Sequence, residues 1–271
     1  MPNLYKQLKK APQSLAHLPD FLVRGDFTTK YVWVSHHKCA TQYVMRVLRA
    51  VCEDKKLRAV KCDWREPISR STIMLNNFLM IQDYSSDIVD IKALKGRGFH
   101  VIRDPRDILV SLYFSHRYSH ALQHDVQEIA DDRRVLSGMD EPTGLIYLMD
   151  HSSYFNRAMR EMTAWDYHMD NFFETRFERI TVEPQTEFAK VFAFLGIEMA
   201  PGELDRILST ITFDNLKQEY DRTHTGSETS HYRQGKAGDW GNHLLGQAKE
   251  VFKQRYGDLV VRLDYAADTN W

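Results

Sequence analysis

Short apolar runs separated by amphipathic stretches recur along this chain, and that rhythm predicts strands that feed helices. The first run, residues 31–35, reads as a strand. It follows a lead of residues 1–30, punctuated by Pro2, Pro12 and Pro19, that is expected to wrap the surface. Residues 41–53 place Tyr43, Val44, Val47, Leu48 and Val51 at helical spacing. Continuous apolar runs at 78–81 and 99–102, the second announced by Gly96 and Gly98, predict two internal strands. Pro105 sits where the first turn of a helix accepts a proline, with Asp104 placed as its N-cap, so a helix begins there and carries Leu109, Leu112 and Tyr113.

From 121 to 140 the chain is polar and charged with little periodicity, and a lid or loosely packed excursion is expected. Helical spacing returns over 144–165 through Leu145, Leu148, Met149, Phe155, Met159 and Met162. Residues 172–180 predict another strand, 186–195 a helix stopped by Gly196, and 244–256 a closing helix. The stretch 223–243, rich in Gly, Ser, Thr and His, reads as a loop that exposes its backbone. Strands alternating with helices predict an α/β fold, a central parallel sheet flanked by helices. No internal repeat interrupts it, and one domain over residues 1–271 is expected.

The composition narrows the classes of function. A chain of 271 residues with 43% hydrophobic content closes one large core. A formal net charge of -1 and a pI near 6.9 give no global attraction to nucleic acid or to acidic membranes, so a basic patch has to be local and aimed at a small anion. Cys39, Cys52 and Cys62 lack Cys-x-x-Cys spacing, which argues against a disulfide framework and for a reducing compartment, the cytoplasm. The opening residues carry no apolar stretch of signal-peptide length. With no run of about 18 apolar residues, neither secretion nor membrane insertion is expected.

Two strand-to-helix junctions carry the candidate chemistry. In the first, Lys38-Cys-Ala-Thr-Gln-Tyr43 puts a mobile cation beside helix amides at Ala40 to Tyr43, with side-chain donors from Thr41 and Gln42. The Gly-x-x-x-x-Gly-Lys-Ser/Thr loop of nucleotide kinases is absent, and a solvated loop lysine is the plain alternative. In the second, Arg103 offers a planar guanidinium that grips a phosphate by two parallel hydrogen bonds, and Ser111 stands two helical turns on. Arg106 and Asp107 are expected on the solvent side. Two anion sites at strand ends point to a ligand with phosphate or sulfate at both ends.

Together with Tyr232-Arg-Gln-Gly-Lys-Ala-Gly-Asp-Trp240, these blocks resemble, in order and separation, the three signature segments of the sulfotransferases that use 3'-phosphoadenylyl sulfate (PAPS). The resemblance runs from about Tyr31 to the C-terminal helix and implies their P-loop-like, three-layer architecture. It also implies transfer of a sulfuryl group to a hydroxyl or amine of a small-molecule or glycan-like acceptor, with adenosine 3',5'-bisphosphate (PAP) as product and no metal. Carried onto this chain, Lys38, Cys39, Ala40, Thr41 and Gln42 hold the 5' end of the donor, and Tyr43 lies where the family often stacks a Trp on adenine. Arg103 and Ser111 bind the 3'-phosphate, joined by Arg233 and the Gln234 and Gly235 amides. Phe177-Glu178 resembles the family's Tyr-Glu segment. The chain departs from the pattern in Cys39-Ala40 for Ser-Gly, Gln234 for Lys, Gly241 for Lys, and Phe177 for Tyr.

Sulfuryl transfer of this kind rests on positioning and charge stabilisation. Lys38 is the expected electrostatic catalyst, and a general base has to take the acceptor's proton. Where the family often has a His within a Lys-x-His segment, this chain reads Met80-Ile-Gln-Asp-Tyr84. Asp83 is therefore a candidate base if apolar neighbours raise its pKa. A strand-end cap is its plain alternative. His36, His37 and His116 compete with Asp83 for the role of base, His37 being placed with Lys38 and Asp83 among the catalytic candidates, and His36, His116 and Asp83 are candidates for touching the acceptor. His116, His120 and His124 at i, i+4 and i+8 imitate a metal site, but no acidic ligand completes it, and no metal is expected. Two other classes stay open: a kinase-like phosphotransferase, and a non-catalytic nucleotide-binding protein of the same fold. Acceptor identity and oligomeric state are not written in these patterns.

Overall fold

A computed structural model describes residues 30–62, 65–119, 127–223 and 237–271. Strand β1 (Tyr31–Ser35) leads into helix α1 (Thr41–Asp54). Then follow β2 (Ala59–Cys62), α2 (Arg70–Leu75), β3 (Phe78–Ile81), β4 (Arg97–Ile102) and α3 (Pro105–Phe114). After a wide turn at Ser115–Ser119 come α4 (Gln127–Leu136), α5 (Glu141–His151), α6 (Ser153–Ala164) and β5 (Phe172–Arg176). The chain closes with α7 (Phe177–Val182), α8 (Pro184–Leu195), α9 (Glu203–Thr210), α10 (Phe213–Thr223), α11 (Trp240–His243) and α12 (Gly246–Arg262).

Among the described residues the strands form one parallel five-stranded sheet in the order β2-β3-β1-β4-β5. Neighbouring strands bury alternate side chains on opposite faces: Trp33, Met80 and Phe99 join one core cluster, Val32, Val34, Leu79 and Ile81 the other. A sheet covered on both faces explains why its strands read as continuous apolar runs. Helix α1 buries Val44, Met45, Val47, Leu48, Val51 and Cys52 against the first cluster. Each such side chain contributes about 1.5–3 kcal/mol by leaving water. From β1 the chain moves first to one side of the sheet and later to the other. The switch point therefore lies between the carboxyl ends of β1 and β4, where open α/β sheets form their ligand crevice.

Several expectations change. The strand read over 172–180 ends at Arg176, because Phe177 and Ile180 are buried at a spacing of three, the period of the helix α7 that they open. The helix read over 144–165 is two helices, parted at Ser152, whose extended backbone and hydroxyl cap the Phe155 amide of α6. Within 121–140, residues 127–136 form α4 rather than a loosely packed excursion, since Ile129, Asp132 and Leu136 are buried. Strand β2 was not anticipated. It is an edge strand of four residues, only Cys62 of which is fully buried. Gly196 closes α8 at φ 72, as the helix stop requires. The lead up to residue 29, residues 121–126 of the lid expectation and residues 224–236 lie outside the described residues.

Candidate active site

The loop leaving β1 carries Lys38 and Ala40 at φ 65 and φ 59, and Asp83 after β3 stands at φ 54. Left-handed backbone at non-glycine residues costs roughly 1–2 kcal/mol each, and its clustering here marks a loop shaped by function rather than by local preference. No side chain caps the start of α1, and its first turn holds no acidic residue. Its free amides, with Thr41 half-buried and Gln42 exposed beside them, are thus available to an anion. Half-buried Lys38 sits at the mouth of this loop. Burial, then the Arg103 guanidinium, pull its amine from 10.5 down to about 7, against an opposing pull from Asp83. Cys39 lies beneath the loop, and burial pushes its thiol up. Tyr43 sits edge-on to Phe188, with ring centres 6.0 Å apart.

Arg103 leaves the end of β4 and reaches this loop directly, donating from Nη1 to the Lys38 carbonyl at 3.1 Å. Its guanidinium lies 4.0 Å from the Phe177 ring centre, and its Nε is buried with no hydrogen-bond partner. An orphaned guanidinium donor at a switch point fits an anionic ligand. Asp104 caps α3 as expected, accepting from the Arg106 amide at 2.9 Å, so the second anion site rests on the Arg103 side chain and not on the amides of that helix. Ser111 is half-buried in the later half of α3.

Arg106 and Asp107 are not solvent-side charges: they are 3% and 1% exposed. Arg106 is forked onto Asp104 at 2.7 and 2.9 Å and lies 3.8 Å from the Trp240 ring centre. Asp107 accepts the amides of Gly238 at 2.7 Å and Trp240 at 2.9 Å. The second and third signature blocks are thereby fastened together. Arg233, Gln234 and Gly235 lie outside the described residues. Glu178 adds a further tie, accepting from the Asp104 amide at 3.1 Å and from the Tyr265 hydroxyl at 2.9 Å.

On the other side of Lys38, His37 Nδ1 meets Asp83 Oδ1 at 3.2 Å, and His37 Nε2 is buried without a partner. Burial alone would raise the Asp83 carboxyl, but the charge and hydrogen bond of His37, with Arg157 and Lys61, outweigh it and hold Asp83 below its ordinary value. The condition for Asp83 itself to act as a neutral-range base is therefore not met: its apolar surroundings are offset by cations. The His37 ring packs 4.6 Å from Tyr154 and 6.0 Å from His116. His116 is fully buried, with Nδ1 2.7 Å from Asp132, and burial lowers its pKa from 6.5 to about 4 against the pull of that hydrogen bond. It backs His37 instead of presenting an open face.

His36 lies beneath the loop, 1% exposed, with Nε2 2.8 Å from His100 Nε2. His100 Nδ1 is 2.8 Å from Glu174, which also accepts from Trp165 Nε1 at 2.7 Å. Burial, then His100 and Arg157, keep the His36 pKa well below 6.5. Tyr154 and Arg157, three residues apart on α6, were not read as site residues. Their spacing was the available signal, hidden by a helical pattern that core packing also explains. Beside the start of α1 a cavity of about 400 Å³ is lined by Gln42, Met45, Arg46, Arg49 and Ile211. Among the described residues no cluster of His, Cys, Asp and Glu could hold a metal ion, and no helix is long and apolar enough to cross a membrane.

The family described as Sulfotransferase domain matches residues 88–264. Sulfotransferase 2A2 of Mus musculus is 26% identical over 198 residues, covering 69% of this chain and 63% of its own, so the match spans less than two thirds of that relative. Sulfotransferase 6B1 of Danio rerio is 22% identical over 289 residues, covering 99% and 90%. Among solved structures, mouse sulfotransferase SULT7A1 complexed with PAP shares the fold with a TM-score of 0.64 at 15% identity, covering 88% of this chain and 86% of that one. Retinol dehydratase in complex with androsterone and PAP follows at 0.57 and 14%, covering 86% and 80%. With a parallel α/β sheet whose Lys38 loop and Arg103 meet at the switch point, and a family match over most of its length, the chain belongs to the sulfotransferase domain family.

Proposed function

We propose that the chain transfers a sulfuryl group from PAPS to a hydroxyl or amine of a small-molecule or glycan-like acceptor, with PAP as product. The observation that carries this reading is the 3.1 Å hydrogen bond from Arg103 to the Lys38 carbonyl, which brings both anion-binding segments into one crevice. The donor supplies the sulfuryl group and a stable bisphosphate leaving group. The uncapped start of α1, with Thr41 and Gln42, holds its 5' end, and Arg103 and Ser111 hold its 3'-phosphate. Arg233, Gln234 and Gly235 join them by resemblance. The cavity beside Gln42 is the right size for part of a nucleoside, Tyr43 follows Gln42 on α1, and Phe177 packs on the Arg103 guanidinium.

Lys38 neutralises charge on the departing bridging oxygen. An anionic donor favours its ammonium form, so an amine lowered to about 7 is cationic when the site is loaded and able to release a proton. His37 Nε2 takes the acceptor's proton, while the Asp83 carboxylate fixes the ring through Nδ1 and stabilises the imidazolium, the logic of an oriented base. His116 and Tyr154 hold the other side of His37. His36 acts from beneath, through His37's loop. A cytoplasmic setting agrees with three buried, unbridged cysteines.

The test is direct. Calorimetry should show PAP binding without Mg²⁺ and in preference to ATP, and labelled PAPS with a panel of phenols, alcohols and amines should give sulfated product. Tight ATP binding that requires Mg²⁺ would move the chain to the kinase-like class, and PAP binding with no transfer to any acceptor would mark a non-catalytic member.

A further inference from the structure

Arg106 does more than fasten two blocks. Its guanidinium is enclosed by two indoles, with Trp240 at 3.8 Å and Trp271 at 4.5 Å from its centre, and the two rings meet edge to face at 5.5 Å and 79°. Lys249 and Lys253 of α12 hold their amines 5.5 and 5.3 Å from the Trp271 ring, and Phe252 meets it edge to face at 6.2 Å, so α12 also holds the ring. Residues 263–271 are tied in at two further points: the Tyr265 carbonyl accepts from Arg106 Nη2 of α3 at 2.8 Å, and the Tyr265 hydroxyl donates to Glu178 of α7 at 2.9 Å. Glu178 in turn accepts the Asp104 amide, one residue from Arg103.

These contacts form a closed circuit. Arg106 holds Asp104, Asp104 caps the helix whose preceding residue is Arg103, and Asp107 holds the Gly238 and Trp240 amides. The forked bonds to Asp104 fix the Arg106 guanidinium at one edge, and the two indoles, set nearly at right angles to each other, pack around it and attract its charge. We propose that Trp271 is a positioning residue for donor binding: by packing on the Arg106 guanidinium and edge to face against Trp240, it holds Arg103 and the Gly238–Trp240 segment in the geometry that receives the nucleotide's phosphate. This rests on the donor reading above. Trp271 touches no reacting atom. It acts through Arg106, and its loss is felt as weaker binding rather than slower transfer.

The experiment compares Trp271→Phe, which keeps an aromatic face, with Trp271→Leu, which keeps apolar bulk without one. PAP affinity is measured by calorimetry and the unfolding midpoint is measured without ligand. The Phe variant should bind PAP within about threefold of wild type and the Leu variant about tenfold more weakly, with KM for PAPS rising and kcat unchanged. A Leu variant that binds PAP as wild type does, whatever its unfolding midpoint, overturns the proposal, as does a Phe variant that loses as much affinity as Leu. A readout in the unmodified protein covers a variant that fails to fold. PAP should slow backbone amide exchange in residues 263–271 as well as in 237–240, and protection confined to 237–240 overturns the proposal. If wild type itself binds no PAP, the donor reading falls and this inference with it. If wild type binds and the Leu variant binds equally, this inference falls alone.

Discussion

Arg103 donates from Nη1 to the backbone carbonyl of Lys38, so a residue read as gripping one end of the donor also braces the loop read as gripping the other. The two cations differ in how their contribution is felt. Lys38→Ala should cut turnover by about 10²–10³ while leaving PAP affinity within about tenfold, because the lysine acts on charge that develops during transfer. Arg103→Ala should weaken PAP binding by at least tenfold. Single-turnover rates and calorimetry separate the two; similar small effects from both would remove the assigned roles.

Donor binding should depend on pH through Lys38. In the free protein its amine is lowered to about 7, and an anion stabilises the protonated form, so binding takes up a proton as pH rises above 7. PAP affinity should fall between pH 7 and pH 9 and stay flatter in Lys38→Gln. Calorimetry in two buffers of different ionisation enthalpy measures the proton taken up.

Asp83→Asn should reduce transfer by about 10²–10⁴ and leave PAP affinity within threefold, since it disturbs the orientation of His37 and not the donor contacts. Because the Asp83 carboxyl is held below its ordinary value of 3.8, its contribution to stability is present above that pH and is lost as the solution is acidified through the lowered value. Activity that survives in Asp83→Asn and is lost in Asp83→His would instead place the base elsewhere.

Acid should destabilise the chain through His116. Its pKa is lowered from 6.5 to about 4, so the unfolded chain binds the proton first as pH falls, and the stability present above 6.5 is lost between there and 4. The loss is of order 3 kcal/mol at most. Urea midpoints from pH 7 to pH 4.5 should show this slope, and His116→Gln should lower the neutral plateau and flatten it.

Ala40→Gly should leave the chain as stable or raise its stability by about 0.5–1 kcal/mol, because φ 59 strains an alanine and not a glycine, while the gain is reduced by the freer unfolded chain. Urea unfolding of Ala40→Gly beside Ala40→Val, which should lose stability, decides it.

Much of this was open to reading in the chain itself. The strands at 78–81 and 99–102, the cap at Asp104 and the stop at Gly196 follow from local rules, since a buried parallel strand, a helix start and a left-handed residue each leave a short signature. Lys38 and Arg103 stood out as candidate anion binders because each follows an apolar strand and precedes the start of a helix. The fates of Arg106 and Asp107 were not: their partners, Trp240, Trp271 and the Gly238 amide, lie more than a hundred residues away, and a charge pair on a helix looks solvated until tertiary contacts bury it. The same blindness applies to Asp83, whose carboxyl is held down first by His37 and then by Arg157 and Lys61, all brought in from elsewhere in the chain. Strand β2 escaped because an edge strand with one buried residue has almost no pattern to show.

The strands that deliver Lys38 and Arg103 lie side by side, yet the two residues are separated by 65 positions in sequence. Helices such as α1 close through local contacts and form early, whereas neighbouring parallel strands have to meet across a long intervening loop. During refolding, the recovery of helical signal should therefore run ahead of the ability to capture PAP, and nucleotide capture becomes a clock for the moment when β1 and β4 join.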